Sequence, residues 1–394
     1  MHATSEQRGD RPSLEAWEAV SPSARPIIRE LLVTGPRTRT ELARRLGLST
    51  GSLTRLTKPL VRGGLLVERG IVHDETHGHP TRPLDLVAGD YHFLGVKITG
   101  DSVHGVITDL RAEVVAEKAE PLGARAPEAV TAQVAALRDR LAGQSVAPLA
   151  AGVTLGGNPS PGGPREPAAF DAPFLGWQEV PLEALLHRAL NIPCVVRNDV
   201  SALAHGQHWF GAARGLADFA LVTIGAGIGY ALCLGGRVLE SSEEDMVEFS
   251  HHILDPGGPM CPAGHRGCVS AYLSTGAILS AAAYGLHRPV PPEEVARRAA
   301  EGNAVCQEIV RQAGWALGVL AATIANLTGV KTVVIAGESV EVVRVGRRHI
   351  TEGMRRRRTH HRNPLDLRML PASFTEWARG GAVEAVRTFV IEGR

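Results

Sequence analysis

The chain has 394 residues, more than the about 250–300 that one hydrophobic core usually supports, so two or three domains are expected. Its hydrophobic content of 44% is ordinary for a globular protein, and its net charge of +1 indicates no particular class of partner. Five irregularly spaced cysteines, and a first segment without the apolar stretch of a signal peptide, argue against a disulfide framework and favour a cytoplasmic location. The longest apolar runs, 219–234 and 313–330, are shorter than about 20 residues and interrupted by Gly, Asn or Thr, which predicts buried core elements rather than membrane spans.

The N-terminal part of the chain divides into an arm and a basic segment. Residues 1–20 are polar without usable periodicity, which predicts a disordered arm. Residues 21–88 hold eleven lysines and arginines against six aspartates and glutamates, a surplus of five positive charges. From Arg39 onward leucines recur at helix-like intervals with a break at Gly47, which predicts two helices joined by a tight turn. The stretches 65–69 and 81–86 predict a two-stranded wing, so we expect a winged helix-turn-helix over residues 21–88.

The second of these helices carries the pattern of a DNA-reading element. Its inward face is expected to hold Leu53, Leu56 and Leu60, which leaves the opposite face for the major groove, where hydroxyls and a guanidinium reach phosphates and base edges. The local positive charge supports that interpretation. The residues predicted to bind DNA, the wing included, are Arg39, Ser49, Thr50, Ser52, Arg55, Lys58, His79 and Arg82. The alternative is a small helical domain whose charges are simply solvated.

From residue 89 the chain alternates short apolar strands with glycine turns. The predicted elements are strands over 93–99, 103–110, 149–155, 194–197, 219–224, 228–234 and 331–336, with helices over 129–142 and 305–327. The order of hairpin, helix and strand occurs twice, which predicts an α/β domain of two similar lobes over residues 89–394.

Two short motifs in this domain suggest ligand chemistry. Asn198 and Asp199 directly follow a strand, where α/β proteins usually bind ligands, and the Asp199 carboxylate could serve as a general base or bind hydroxyls. The alternative is that Asp199 caps the following helix. Gly225, Gly227 and Gly229 lie between two strands, so they do not match a dinucleotide fingerprint, but glycines in a hairpin turn allow backbone N–H groups to approach a phosphate. An ordinary tight turn is the alternative.

A histidine and two cysteines suggest a metal site. His251, Cys261 and Cys268 are suitable zinc ligands, but a closed structural site needs four, and the expected fourth position is Ala263. His265 or His252 is a possible substitute, and a metal-free loop is the alternative.

Five stretches, in order along the chain, resemble the ROK family, which groups transcriptional repressors, uncharacterised reading frames and sugar kinases on an actin-like, ribonuclease-H-like, two-lobed fold. They begin at Asn198-Asp-Val-Ser-Ala, Trp209-Phe-Gly-Ala-Ala-Arg-Gly, Thr223-Ile-Gly-Ala-Gly-Ile-Gly, Glu248-Phe-Ser-His and Asp255-Pro-Gly-Gly-Pro-Met-Cys. The resemblance extends from about residue 21 to the C-terminus, and the winged helix points to the repressor branch. It implies a last helix that returns to the first lobe, and sugar binding by Gly157, Asn198, Asp199, Glu248 and His251.

The departures from the family pattern argue against catalysis. Family kinases carry Asp-x-Gly-Gly-Thr in the first hairpin to position magnesium and phosphates, whereas this chain has Lys97-Ile-Thr-Gly-Asp101. An ammonium replaces the metal-facing carboxylate, and the Asp101 carboxylate would repel a triphosphate. We therefore expect no catalytic residue and no requirement for ATP or magnesium, although Asp199 would be the base in an active kinase. The glutamate and one cysteine of the family loop are replaced by Ser270 and Ala263.

The leading hypothesis is a repressor that binds a double-stranded DNA operator and senses a sugar-like effector without phosphorylating it. The resemblance implies a homo-oligomer, a dimer or tetramer, on a palindromic operator, and no membrane partner. A second hypothesis is an ATP-dependent sugar kinase with a fused DNA-binding module. A third is a ligand-independent regulator whose large domain serves only as a dimerisation scaffold.

Overall fold

A computed structural model describes residues 12–73, 80–143, 146–160, 169–239, 243–358 and 364–394. The chain forms two compact units. The first comprises residues 1–155, 159–197 and 378–394, and the second residues 156–158 and 198–377. Within the described ranges, none of the helices combines the length and apolar character needed to cross a membrane.

The first unit begins with four helices. They are α1 (Glu15–Glu18), α2 (Arg25–Thr34), α3 (Arg39–Leu46) and α4 (Thr50–Arg62), with a 3-10 turn at Pro22–Ala24. The disordered arm predicted over residues 1–20 is wrong for residues 12–20, because Trp17 of α1 is fully buried and contacts Tyr91 edge to face at 5.1 Å between ring centroids. A single large aromatic side chain thus fixes a segment that has no helical periodicity.

Two helices joined by a short turn, α3 and α4, form where the sequence predicts them, and the local sequence explains their bounds. Thr38 and Glu41 form a capping box at the start of α3, with the Glu41 backbone N–H donating to Thr38 Oγ1 at 3.2 Å. Gly47 ends α3 in the left-handed region, at φ 65°. The inward face of α4 holds Leu53, Thr57 and Leu60 rather than the predicted Leu56, which is only half-buried. Thr57 is tolerated there because its hydroxyl donates to the carbonyl of Leu53 at 3.0 Å.

The wing contains two short antiparallel pairs. Strand β1 (Leu66–Glu68) pairs with β4 (Leu84–Leu86), and β2 (Val72–His73) pairs with β3 (Pro80–Thr81). Asp85, between two buried leucines, is itself buried and accepts hydrogen bonds from the guanidinium groups of Arg69 and Arg111. The wing is thereby tied by an ion pair to the large domain, to which Arg111 belongs.

A five-stranded sheet forms the core of the rest of the first unit. Its elements, with those that follow them, are β5 (Phe93–Ile98), β6 (Ser102–Thr108), β7 (Val114–Pro121), α5 (Pro127–Ala142), β8 (Ala150–Leu155), β9 (Asn158–Ser160), β10 (Ala169–Ala172), β11 (Trp177–Val180), α6 (Leu182–Leu190) and β12 (Cys194–Asn198). The strand order is β12-β8-β5-β6-β7, with β5 and β6 antiparallel and β5 and β8 parallel. The predicted hairpin and helix are thus present with shifts of one or two residues at their ends.

The second unit is built on another five-stranded sheet. Its elements are α7 (Asp199–Phe210), β13 (Phe219–Ile224), β14 (Ile228–Leu234), β15 (Arg237–Leu239), α8 (Glu243–Ser250), α9 (Val269–Leu273), α10 (Thr275–Leu286), α11 (Pro292–Ala300), α12 (Ala304–Thr328), β16 (Thr332–Ala336), α13 (Val340–Val345), α14 (Arg347–Arg357), β17 (Asp366–Met369) and α15 (Thr375–Ala385). The order is β15-β14-β13-β16-β17, with β16 parallel to β13. Two similar sheets thus confirm the predicted fold class.

The last helix packs on the first sheet through glycines. A side chain on Gly95 of β5 would collide with the backbone of Ala378, and one on Gly152 of β8 with the backbone of Gly381. The helix then continues as a wider π-type turn over Val386–Glu392, where the Arg25 guanidinium donates to the carbonyl of Ile391 at 3.2 Å. The C-terminal residues therefore contact both the sheet and the N-terminal helices of the first unit.

Candidate functional site

The outer face of α4 presents an exposed polar surface. Thr50, Arg55 and Lys58 are exposed along it, and their contacts with DNA stay a prediction. Ser49 and Ser52 serve the helix itself, because Ser49 Oγ accepts the backbone N–H of Ser52 at 3.1 Å and the two hydroxyls lie 3.0 Å apart. Their primary role is therefore to start the helix at its N-terminus.

Two further predicted DNA-binding residues lie next to each other. Arg39 Nη2 is 2.8 Å from Glu68 Oε1, and Arg82 Nη1 is 4.0 Å from Glu68 Oε2. The Arg82 side chain is 60% exposed, so it reaches solvent more freely than Arg39 at 31%. His79 lies outside the described residues. Glu68 is therefore paired with Arg39 at the start of α3 and with Arg82 in the wing, which the sequence pattern does not predict.

Asn198 connects the end of β12 to a loop glycine. Its Oδ1 accepts the N–H groups of Val200 and Ser201 at 2.9 and 3.2 Å, and its Nδ2 donates to the carbonyl of Gly157 at 2.9 Å. Gly157 has φ 113°, which favours glycine. Within the part of the chain that the structure describes, these contacts use three of the four hydrogen-bond positions on the amide, which leaves one N–H.

Asp199 begins α7, and Asn198 is its N-cap, so the alternative in which Asp199 caps this helix is wrong. Asp199 is buried and directly follows Asn198 at the carboxyl end of β12. Glu248 is exposed on α8, a helix held to the sheet by Tyr230 and Phe249, whose rings stack at 4.6 Å. The Asp199 carboxylate is therefore buried, whereas Glu248 is exposed to solvent.

A four-membered donor cluster lies in the loop after α8. The ligand atoms of His251, Cys261, His265 and Cys268 lie within 4.8 Å of one another. His251 Nδ1 is 3.7 Å from both sulfurs, and His265 Nδ1 is 3.8 Å from the Cys261 sulfur. A tetrahedral zinc site with bonds of about 2.0–2.3 Å has ligand separations of about 3.3–3.8 Å, so the donors fit such an ion. His265 therefore supplies the fourth position that Ala263 lacks.

Backbone pairing explains how His265 reaches the cluster. The loop folds back on itself, with bridges between Ile253 and Cys268 and between Met260 and Arg266, and the Cys261 N–H donates to the His265 carbonyl at 2.9 Å. Gly264 and Gly267 adopt φ of 87° and 63° at its bends. A tight hairpin thus places a histidine four positions after Cys261 against the same sulfur.

The two thiols differ in their acid-base behaviour. Burial opposes ionisation of both, but at Cys261 the N–H groups of His265 and Ala263 point to the sulfur and lower the pKa of the thiol. At Cys268 burial dominates and raises the pKa. A sulfur that already accepts backbone hydrogen bonds is suited to carry the negative charge that metal binding requires.

The first hairpin has a hydroxyl network where family kinases carry their phosphate motif. Thr99 Oγ1 donates to Asp101 Oδ1 at 2.7 Å, and Ser102 Oγ lies 2.9 Å from His104 Nε2. The Thr99 and Ser102 hydroxyls lower the pKa of Asp101, whereas burial and the nearby Lys97 lower the pKa of His104. Asp101 is thus held as an anion at this turn.

The glycine turn between β13 and β14 has an acidic neighbour that the sequence pattern does not reveal. The Gly225 N–H donates to the Gly227 carbonyl at 3.0 Å, and the Ala226 N–H donates to Glu338 Oε1 at 2.6 Å. The Gly229 N–H donates to Thr223 Oγ1 at 3.0 Å. The Glu338 carboxylate therefore occupies the turn at which the glycine pattern suggests a phosphate.

Comparisons with known proteins agree with this architecture. A model of the ROK family matches residues 93–377. The chain is 26% identical over 326 residues to the DNA-binding transcriptional dual regulator NagC of Escherichia coli, covering 79% of each chain. It is 24% identical over 262 residues to the xylose repressor of Bacillus subtilis, covering 64% of this chain and 66% of that one.

Solved structures show the same fold. A ROK family transcriptional regulator, a homologue of the Escherichia coli MLC protein, matches 94% of this chain and 98% of its own with a TM-score of 0.76 at 20% identity. A ROK family glucokinase from Streptomyces griseus matches 75% of this chain and 99% of its own with a TM-score of 0.63 at 21% identity. Because the family match spans well over half of its residues, the chain belongs to the ROK family.

Proposed function

We propose that this protein is a DNA-binding transcriptional regulator, most simply a repressor, whose ROK domain senses a sugar. The observation that carries the proposal is an exposed, basic α4 in a winged helix-turn-helix that precedes a ROK domain. The relatives named as repressors, among them NagC and the xylose repressor, support it. Thr50, Arg55 and Lys58 are the residues that we assign to direct DNA contact, with Arg82 on the wing.

We assign the sensor site to Gly157, Asn198, Asp199, Glu248 and His251. Hydroxyl groups of a sugar suit this set, because carboxylates accept hydrogen bonds and the remaining Asn198 N–H donates one. His251 can serve both the cluster and the ligand, since its Nδ1 faces the two sulfurs and an imidazole has a second nitrogen. A ligand controls DNA binding only through different affinities for the DNA-competent and DNA-incompetent states.

We further propose that the domain senses its ligand without phosphorylating it. Lys97 is buried in the first hairpin, and the Asp101 carboxylate lies in the Thr99–Ser102 hydroxyl network, at the positions where family kinases hold magnesium and phosphate. A fixed carboxylate there repels a triphosphate. A buried ammonium does not coordinate a cation.

We also propose that zinc binds the donor cluster of His251, Cys261, His265 and Cys268. Two thiolates and two imidazoles are a ligand set typical of structural zinc. Such an ion would hold the loop after α8 in place, and with it His251. We propose a homo-oligomer as the DNA-binding species, because a two-fold symmetric protein matches a palindromic operator.

The test of the function is a footprinting titration with the full-length protein on DNA from upstream of its own gene. We expect specific protection at physiological salt that survives excess competitor DNA and weakens with rising salt. Addition of the matching sugar should remove the protection. Absence of specific protection under these conditions would contradict the function, and turnover of ATP with any sugar in a panel of hexoses and amino sugars would contradict the sensor without catalysis.

A further inference from the structure

The turn Gly225–Gly227 lies at a position of the sheet that favours ligands. It follows β13, and β13 runs parallel to its neighbour β16, with Thr223 opposite Ala336 in the register. The carboxyl ends of these two strands therefore lie side by side. In α/β sheets the crevice beyond the carboxyl ends of parallel strands is where ligands usually bind.

Glu338, which closely follows β16, places its carboxylate at the Gly225–Gly227 turn. After β16 the chain turns at Gly337, which has φ 110° and lies so close to the Ile224 backbone that a side chain would collide with it. Glu338 follows, and its Oε1 accepts the Ala226 N–H at 2.6 Å. The same carboxylate lies against Gly225, where a methyl group in place of the hydrogen would collide with it.

The backbone on both sides of Glu338 is fixed to the turn. The Ser339 N–H donates to the Ile224 carbonyl at 3.1 Å, and the Thr275 N–H donates to the Gly225 carbonyl at 2.8 Å. The two hydroxyls, Thr275 Oγ1 and Ser339 Oγ, lie 2.7 Å apart, and Ser339 is fully buried. These contacts fix the backbone beside Glu338 to the turn, and the Ala226 N–H binds the Glu338 carboxylate there.

A carboxylate at this place has the charge and the acceptor oxygens of a phosphate. Backbone N–H groups in glycine turns form concave sites for anions, and charged acceptors form the stronger hydrogen bonds there. The Ala226 N–H already donates to Glu338 Oε1, so it is not available to a phosphate group. The negative charge of the Glu338 carboxylate would also repel that phosphate.

We propose that Glu338 is a specificity-determining residue that takes the phosphate position of the Gly225–Gly227 turn and so excludes phosphate groups, those of a nucleotide included, from this turn. This inference deepens the proposed function, on which it rests, by giving a chemical reason why the sensor works without a nucleotide.

The test is calorimetric titration of the full-length protein with inorganic pyrophosphate. Glu338→Ala removes both the charge and the bound oxygen, so it should bind pyrophosphate at least about tenfold more tightly than the wild-type protein. Glu338→Gln keeps the size and an acceptor oxygen but not the charge, so its gain should be smaller. Unchanged circular dichroism and melting temperature identify the variants whose fold is intact, and the glutamine variant keeps the test decisive where the alanine variant is unstable.

Glu341→Ala is the matched control. It removes the same charge three positions further on, from a side chain that is paired with Arg344 at 3.1 Å. We expect no gain in this variant. An equal gain in Glu341→Ala, no gain in either folded Glu338 variant, or tight binding by the wild-type protein would each overturn the proposal. None of these results depends on operator binding, so failure of the regulatory function would appear separately, as loss of the footprint.

Discussion

Asn198 and Asp199 are adjacent in the sequence, but the structure gives them separate roles. Both residue types are good N-caps, so the pattern alone could not decide which of them starts α7. The structure assigns the cap to Asn198, which also holds Gly157. Asp199 is thereby placed at the strand end, where α/β proteins bind ligands. The sugar-binding roles of both residues remain predictions.

Arg55 is the residue on α4 that we expect to read a base. Replacing it with alanine should weaken operator binding by about 1–3 kcal/mol and relax the sequence preference at one position, because a bidentate contact to a guanine edge is lost. Footprinting titrations on the operator and on single-base variants measure both effects. Arg188→Ala removes another exposed arginine, from α6 of the large domain, and should leave the affinity unchanged. Equal loss in the two variants would indicate a general charge effect.

Asp85 carries the ion pair between the wing and the large domain. Asp85→Asn leaves Arg69 and Arg111 without their anion, and removal of one partner of a buried pair costs about 3–5 kcal/mol. We expect the lower end of that range, because Arg69 is 55% exposed and can be solvated. Urea unfolding at neutral pH measures the loss. The same substitution at Asp139, which is 66% exposed, should change the free energy of unfolding by less than about 1 kcal/mol.

The pH dependence of stability tests the same ion pair. Burial alone would raise the pKa of Asp85, but its bonds to Arg111 and Arg69 lower it below its ordinary 3.8. A carboxyl group with a lowered folded-state pKa contributes stability above its unfolded pKa and loses it as the pH falls through the folded value. The wild-type protein should therefore lose more stability between about pH 5 and 3 than Asp85→Asn does. Parallel acid curves for the two proteins would exclude this role.

At the level of elements, periodicity predicted most of the fold and missed contacts between distant segments. The strands over 219–224 and 228–234 were predicted to the residue, because continuous apolar runs between glycines leave little ambiguity. Residues 12–20 were mistaken for a disordered arm, since the partner of Trp17 is Tyr91, far along the chain. The Asp85–Arg111 pair was missed for the same reason. Local patterns contain no information about such contacts.

The metal loop shows the same limit at shorter range. His251, Cys261 and Cys268 could be named from their residue types, while His265 and His252 stayed open as the fourth ligand. Which of the two histidines joins the cluster depends on the hairpin that the Met260–Arg266 bridge closes. The loop therefore illustrates how residue types identify a site and backbone pairing completes it.

Loss of His265 should open the zinc site that we propose for the donor cluster. In His265→Ala one of four ligands is missing, so zinc affinity should fall by at least about 10–100-fold and the metal content after dialysis should drop. Elemental mass spectrometry and a chelator competition measure both. His252→Ala is the control, because His252 is exposed and not part of the donor cluster. Equal metal loss in the two variants would contradict the assignment of the fourth ligand.

At the scale of the whole molecule, sensing and DNA binding must be linked. A sugar that binds the native protein raises its stability by about 2.7 kcal/mol at 100 times its dissociation constant, which a thermal-shift screen detects. The same sugar should weaken operator binding, and the operator should weaken sugar binding by an equal factor. Asp199→Asn should abolish the shift while keeping the melting temperature of the ligand-free protein. A melting curve that no sugar shifts would favour the third hypothesis, in which the large domain serves only as a dimerisation scaffold.

The contact between Arg25 and Ile391 can form only late in protein synthesis. These residues are 366 positions apart, so at about 5–20 residues per second the ribosome makes the second roughly 20–70 s after the first. During that interval the residues of α4 have been synthesised, but the turn over Val386–Glu392, which contacts α2, has not. The N-terminal helices therefore gain this contact only after residues 386–392 have been synthesised.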